Sequence, residues 1–543
     1  MIDRFYLRFN NGECVVDGNV ISSEESLSLF KKREGGLRVL LVNAPIRQWA
    51  FPNIEPIGLC YIASSAIVDG HNVEILDLNG MRINPVSDDF DFDFFIDSAL
   101  RKKIEEFSPD VIGVGGIITQ YSLIKIILEK CKSFSGAILI LGGGIATCLP
   151  EFMMEKLPID ILVREEADVI FSEILYKIEL GLSFVDIPNI LYRDLNGDII
   201  KNKLFLPLKS GKKGLDNLCW PSRHLVDMDL YSRNPVGYLN WETKWINGKA
   251  SFDSPKSLSM LASRGCPYSC IYCYSKYLGC GYRMRSPKDV VDEMQYLTNK
   301  YNLSYIHFLD DLLMGNVKWV FEFFDELERR KNIGGFKVLW GGTCRANIIS
   351  ADIKKAKNDR RKNVFERGYE VGMRQACFGI ESCSKKILKN IDKSGQTLED
   401  IKNVLDESKR IFGYSDPSFM FGSPGETKET IQETIDFCKE NDVDVETIFY
   451  ITAFPATKLW DIALSRGLIS KFVTGDFTSV MTYDILETYI LSLGENSEMV
   501  RTNFSDVLSD DELISLGHYA TEILGSKNKR HPHVGDKEIY NGA

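Results

Sequence analysis

SRGCPYSCIYCYSKYLG, residues 263–279, carries Cys266, Cys270 and Cys273 with three residues in the first gap and two in the second. Its position decides the fold. It follows SLSMLAS (257–263), the first apolar strand of an alternating series that continues through SYIHFLD (304–310), KVLWGG (337–342), QACFGIE (375–381), SFMFGS (418–423) and ETIFYIT (446–452), with helical segments between. A repeated strand–helix layout closes as a barrel or partial barrel whose site lies at the carboxyl ends of the strands. The three thiols therefore fall at the mouth of that barrel.

Thiolates at short spacing suit zinc or an iron–sulfur cluster. A structural zinc site takes four ligands, usually as two separated pairs. Three thiols on one loop leave a fourth corner vacant, which on a [4Fe–4S] cluster is an iron open to a chelating small molecule. Cys280, seven residues after Cys273, keeps zinc as the alternative.

Upstream, LRVLLVN (37–43) is a continuous apolar run, the pattern of a strand buried on both faces. NVEILDL (72–78), DVIGVGG (110–116), AILILGGG (137–144) and DILV (160–163) add four strands, and 58–70, 121–132, 149–157 and 168–178 read as helices. This alternation predicts a doubly wound parallel sheet with its ligand at the carboxyl ends of the strands. Gly115 and Gly116, with Gly142, Gly143 and Gly144, mark that crevice. LYRDLNGDIIKN (191–202) reads as a hairpin turning at Asn196–Gly197. The expected organisation is α/β: an extension (1–36), the doubly wound domain (37–200), a connection (201–255), the partial barrel (256–475) and a small, acidic, mostly helical C-terminal region (476–543). RFYLRF-NNG-ECVV near the start suggests a short hairpin at Asn11–Gly12, with an edge decoration as the plainer reading. Trp220, Trp241 and Trp245 suggest that the connection packs against something.

Composition narrows the class. The 543 residues carry a net charge of −11, so there is no basic field for nucleic acid. No run of about 18 apolar residues marks a membrane span, and the N-terminal stretch does not resemble a signal peptide. Thirteen scattered cysteines in a large acidic chain point to a reduced, cytoplasmic protein rather than a disulfide scaffold.

The spacing C-x3-C-x2-C, with Tyr272 before the last cysteine, resembles the signature of the radical S-adenosylmethionine enzymes. FLDDLL (308–313), TCRAN (343–347), FGIESCSKKIL (378–388), FMFGSPGET (419–427) and AFPATKLW (453–460) resemble that family's later strand-end motifs in the same order. The resemblance implies that Cys266, Cys270 and Cys273 hold a [4Fe–4S] cluster whose open iron chelates S-adenosylmethionine. It further implies that Tyr272 packs near the adenine and that Asp310 or Asp311 meets the ammonium. Arg345, Glu381 and Ser382 would contact the carboxylate and ribose. Residues 56–78, 109–120 and 138–152 resemble the cobalamin-binding domain that accompanies many such enzymes, with Gly115, Gly116 and Gly142–Gly144 approaching the corrin.

Two departures stand out. The loop 43–58 has no histidine to ligate cobalt, and REEADVIF (164–171) stands where that domain carries a Gly-Glu-Gly-Glu turn. A domain that kept the fold without the corrin is the alternative. The resemblance implies a methyltransferase working through a 5′-deoxyadenosyl radical and methylcobalamin on a small-molecule substrate, with electrons from a flavodoxin or ferredoxin. The alternative activity is a non-methylating cyclisation, rearrangement or oxidation. A non-catalytic cofactor sensor would not keep the strand-end motifs intact. His307 is expected as a core-packed strand residue, and His531 and His533 as at most a weak metal site. Cys344, Cys377 and Cys383 are expected as buried free thiols.

Overall fold

The computed structural model describes residues 36–46, 54–81, 91–204, 214–233, 256–274, 281–443, 445, 448–477, 481–494 and 499–525, with the backbone of three short strands near the start. These strands, Arg8–Asn10 (β1), Glu13–Val16 (β2) and Asn19–Ile21 (β3), form an antiparallel sheet of their own. Asn10 stands opposite Glu13, so the expected hairpin is present and adds no strand to the edge of a larger sheet.

The front sheet contains Arg38–Asn43 (β4), Asn72–Asp77 (β5), Val111–Gly115 (β6), Ile138–Gly142 (β7) and Ile161–Val163 (β8), all parallel. The antiparallel hairpin Ile190–Arg193 (β9) and Ile199–Lys201 (β10) extends it beside β8. The order is β10-β9-β8-β7-β6-β4-β5. Helices 57–68 and 170–180 bury Leu41, Val73, Val111 and Ile140 on one face. Helices 92–107 and 121–134 bury Leu40, Val42, Ile112 and Leu139 on the other. Helix Phe92–Phe107 was not among the expected elements. Asp91 caps it by accepting from the Phe94 amide at 2.9 Å, and Ile96, Leu100, Ile104 and Phe107 form its buried stripe. The order reverses between β4 and β6, the point where open α/β sheets bind ligands. Gly115 and Gly142 stand side by side next to it.

The first barrel strand is shorter than its sequence pattern. Ser257–Met260 (β11) ends early, and Ser263–Arg264 (β12) pairs instead with Arg283–Met284 (β13). The remaining strands are Tyr305–Phe308 (β14), Leu339–Cys344 (β15), Met373–Glu381 (β16), Asp416–Phe421 (β17) and Ile448–Tyr450 (β18). They run parallel in the order β11-β14-β15-β16-β17-β18, and the outer two do not pair, so the barrel is partial. Ile306, Phe308, Trp340 and Phe378 pack toward the helices. The opposite face is polar: the Tyr305 hydroxyl donates to Gln375 at 2.8 Å, and Gln375 and Cys377 both donate to Asp416, at 2.9 and 3.1 Å. His307 lies on this polar face, in register with Ser259 and Gly341, rather than in the helix-packed core. Burial lowers its pKa to about 4.

The two sheets are joined by buried charge. Residues 214–233 wedge between them, and the packing suggested for the connection holds at Trp220, which donates to Asp289 at 3.2 Å; Trp241 and Trp245 lie outside the described residues. Arg223 donates to Glu293 at 2.6 Å and lies 3.7 Å from Glu55, which accepts from the Ser259 amide of β11 at 2.9 Å. Arg285 reaches Glu293 at 2.5 Å and Asp289 at 2.7 Å. From the C-terminal region, helix 483–493 places Glu487 against Lys125, Lys156 and Tyr121 of the front domain, at 2.7, 2.8 and 2.8 Å. The same helix sends the Tyr489 hydroxyl to the barrel carbonyl of Ala453 at 3.0 Å.

Removing one partner of a fully buried ion pair strands the other charge, at a cost of about 3–5 kcal/mol. Arg285→Met is therefore expected to lower unfolding free energy by about that amount in urea titrations. A loss below about 1 kcal/mol would mean that water reaches the network.

Candidate functional site

The thiol loop is closed at its base by the β12–β13 pair, with Ser263 opposite Met284 and Arg264 opposite Arg283. A Cβ on Gly265, whose φ is +75°, would sit 2.4 Å from the Gly281 carbonyl oxygen, so only glycine lets the two ends of the loop meet. Asp310 anchors the same base. Its carboxylate accepts from the Ala262 amide at 3.1 Å and from the Ser263 amide and hydroxyl. Burial pushes it up to about 6. The expected choice between Asp310 and Asp311 for a substrate ammonium is thereby narrowed, because Asp310 is committed to the backbone. Asp311 is exposed and has no hydrogen-bond or ion-pair partner among the described residues.

Within the loop, the Ile271 amide donates to the Ile391 carbonyl at 3.2 Å and the Leu459 amide to the Ile271 carbonyl at 2.9 Å. Cys266, Cys270 and Cys273 are half-buried around this anchor. Burial raises the Cys266 thiol; a hydrogen bond at Tyr268 opposes it, and the neighbouring Cys273, Cys270 and Asp311 add to it. Arg345 places a guanidinium nitrogen 3.6 Å from the Cys270 sulfur and lies over the Tyr268 ring, 3.7 Å from its centroid. Among the described residues no three His, Cys, Asp or Glu side chains converge tightly enough for a single ion. Cys280, the fourth thiol of the zinc alternative, lies outside the described residues.

Tyr272 leads from the loop to β16. Its hydroxyl donates to Glu381 at 3.0 Å, and Lys393 lies 2.9 Å from that carboxylate and 3.3 Å from the hydroxyl. Burial, then the Glu381 charge, pushes the Tyr272 hydroxyl up. Glu381 has φ +68°, a backbone state that non-glycine residues adopt at a cost. Lys393 was not singled out in the sequence, where it is one of four lysines between 385 and 393. Burial to 5% exposure is what distinguishes it. Ser382 faces inward, 3.3 Å from the Thr434 hydroxyl, and accepts from the Ser384 amide at 3.1 Å. Its hydroxyl serves the turn after β16. Cys344 and Cys383 are buried in the barrel wall as expected, with Cys344 3.3 Å from the Met314 sulfur, whereas Cys377 is half-buried and donates to Asp416.

The glycine-rich strand ends of the front sheet face this loop. A Cβ on Gly142 would meet nothing within 4 Å, so the end of β7 opens onto free space. Gly143 (φ +80°) packs its backbone on Gly116, 2.7 Å from the Gly116 oxygen to where a Cβ would stand, and Gly115 lines the wall beside them. Ile117 adds a half-exposed apolar rim. A backbone floor with an apolar edge fits the flat face of a corrin. His71 accepts from the Leu37 amide at 3.2 Å, at the amino end of β4 and away from the crevice.

The altered REEAD turn has a structural role. Glu165 takes φ +63°, a state that favours glycine, and its amide donates to the Thr147 hydroxyl at 2.8 Å. Asp168 receives both terminal nitrogens of Arg264, at 2.7 and 3.0 Å, and Glu166 accepts from Arg283 at 3.0 Å. Burial works to raise the Asp168 carboxyl, but the Arg264 charge and hydrogen bonds hold it below its usual range. These arginines are the residues that close the thiol loop. The turn thus bolts the front sheet to the cluster site.

Two results are expected. Cys273→Ala should cut bound iron after anaerobic reconstitution from about four per chain to less than one, while Cys344→Ala keeps it; equal iron in both variants would place the metal elsewhere. Burial, with Glu166 nearby, raises Glu165 to about 7 from an ordinary 4.5. The folded state therefore holds a proton the unfolded chain releases, and this stabilisation is full below pH 4.5 and lost as pH rises through 7. Glu165→Gln should flatten the fall in melting temperature between pH 5.5 and 8; an unchanged pH dependence would show Glu165 ionised throughout.

The radical SAM superfamily model matches residues 260–438, and the B12 binding domain model matches residues 50–175. The chain is 27% identical over 451 residues to the uncharacterized methyltransferase PH0819 of Pyrococcus horikoshii, covering 82% of this chain and 87% of that protein. It is 23% identical over 462 residues to the anaerobic magnesium-protoporphyrin IX monomethyl ester cyclase of Rubrivivax gelatinosus, covering 83% and 73%. The radical S-adenosylmethionine methyltransferase TsrM of Kitasatospora setae, solved with cobalamin and a [4Fe–4S] cluster, superposes with a TM-score of 0.60 at 18% identity, over 81% of this chain and 79% of TsrM. The two matched models lead to one statement: the chain carries a B12-binding domain followed by a radical SAM domain.

Proposed function

We propose that the chain is a cobalamin-dependent radical S-adenosylmethionine methyltransferase acting on an unactivated centre of a small biosynthetic intermediate. One observation carries this reading: the thiol loop docks directly on the glycine-rich strand ends, joined by Arg264–Asp168, Arg283–Glu166 and a contact from Tyr274 to Gly144. PH0819 and TsrM, both named methyltransferases, add support. When bound, the cluster supplies the electron that cleaves S-adenosylmethionine, and the corrin supplies the methyl-transfer chemistry.

The chain's own residues have distinct tasks. Cys266, Cys270 and Cys273 hold the metal, and Arg345 sets its guanidinium beside the Cys270 sulfur. The buried ammonium of Lys393 offers a counter-charge for the S-adenosylmethionine carboxylate, and the exposed Asp311 an acceptor for its ammonium. Glu381 offers an acceptor for ribose hydroxyls, with Tyr272 fixing its direction. Gln375, Cys377 and Asp416 lie toward the amino ends of the barrel strands, hydrogen-bonded to one another, and close the floor of the barrel below the site. Close docking of the two sheets keeps water from a radical intermediate. A flavodoxin or ferredoxin in a reducing cytoplasm is the proposed electron source. Among the described residues no helix is long and apolar enough to cross a membrane.

The test is anaerobic incubation of protein reconstituted with iron, sulfide and hydroxocobalamin, using a strong reductant and S-adenosylmethionine. Corrin-dependent release of S-adenosylhomocysteine, read by mass spectrometry, is expected. Formation of 5′-deoxyadenosine with no S-adenosylhomocysteine would overturn methyl transfer and favour a non-methylating reaction, as in the cyclase relative.

A further inference from the structure

One side chain connects the two cofactor regions directly. Tyr274 follows the last cysteine of the loop, and its hydroxyl donates to the carbonyl oxygen of Gly144. The contact is built from both sides. A Cβ on Gly144 would lie 3.1 Å from Tyr274 Cε1 and 3.2 Å from its hydroxyl, so the ring packs where any other residue would carry a side chain. The Gly144 backbone is itself fixed, because the next residue, Ile145, donates its amide to the Gly116 carbonyl at 3.0 Å. The Tyr274 hydroxyl also reaches the buried Cys148 thiol on the same short helix, Gly143–Cys148. Apart from the charged clamps farther along the loop, Tyr274 is where the thiol loop meets the strand-end glycines.

We propose that Tyr274 is a positioning residue that couples occupancy of the cluster site to occupancy of the corrin site; this rests on the proposed binding of both cofactors. The physical route is ordering. Residues 266–274 lie on a loop whose three thiols are tied to one another only when metal is bound. Metal fixes Cys273, which fixes the adjacent Tyr274 on Gly144 and completes one wall of the glycine floor. Without metal, the corrin must order that segment itself and binds more weakly. Such coupling is reciprocal and amounts to about fivefold or more in affinity when it is transmitted through an intact contact.

The test compares hydroxocobalamin dissociation constants for full-length protein with and without its reconstituted cluster, by equilibrium dialysis and absorbance. In the wild type, the cluster-free form should bind hydroxocobalamin about fivefold or more weakly. Tyr274→Phe removes the hydrogen bond while keeping the ring, and Gly144→Ala displaces the ring while keeping the hydroxyl. Both should bring the ratio of the two constants close to one, whatever their absolute affinities, with iron content unchanged. A wild-type ratio of one, or variants that retain the wild-type ratio, would overturn the coupling. Failure of the cluster-loaded wild type to bind hydroxocobalamin at all would instead overturn the cofactor assignment on which it rests.

Discussion

Arginine–carboxylate pairs buried between two sheets are the constraint on which the rest of the structure depends. Arg264 and Arg283 meet Asp168 and Glu166 on one side of the thiol loop. Arg223 and Arg285 meet Glu55, Glu293 and Asp289 behind it. Such pairs contribute little net stability against apolar packing, but each charge left without its partner is costly. They therefore act on geometry. The pairs that cross between the sheets are satisfied in this placement, with the carboxyl ends of the front sheet against the thiol loop.

This placement explains why the two modules share one crevice rather than carrying separate sites. A parallel sheet presents its strand ends in one direction, and its ligands gather there. Two such sheets placed mouth to mouth enclose a common space, with thiols on one lip and bare backbone on the other. The polar inner face of the barrel, from Tyr305 through Gln375 to Asp416, closes the barrel at the amino ends of its strands, below that space. Chemistry that passes a group between two cofactors needs that enclosure more than it needs any single acid or base.

Much of this was legible in the sequence, for identifiable reasons. Buried parallel strands such as Val39–Val42 announce themselves by unbroken apolar runs, and the glycine doublets mark where backbone must come close. The thiol spacing is local, so three ligands on one turn could be read without any fold. What escaped was non-local or masked. Helix Phe92–Phe107 opens in a run of aspartate and phenylalanine that hides its stripe. Lys393 looks like any lysine of a basic stretch until the fold buries it. Asp310 and Asp311 are indistinguishable as neighbours in sequence, and only the Ser263 amide tells them apart. The REEAD turn reads as the loss of two glycines, whereas its acids gain arginine partners more than 90 residues away. Segment 214–233 has no period because its contacts are set by a cleft between two sheets rather than by its own helix or strand.

Helix 483–493 bears on the order of events during synthesis. Glu487 gathers Lys125, Lys156 and Tyr121 from the front domain while Tyr489 grips the barrel. Both sheets precede this helix in the chain and are available to fold before it is made, since domains form as units during translation. Until the helix arrives, the mouth-to-mouth arrangement lacks its last strap. A growing chain thus passes through an interval in which its two sheets are held together by the buried arginine–carboxylate pairs alone.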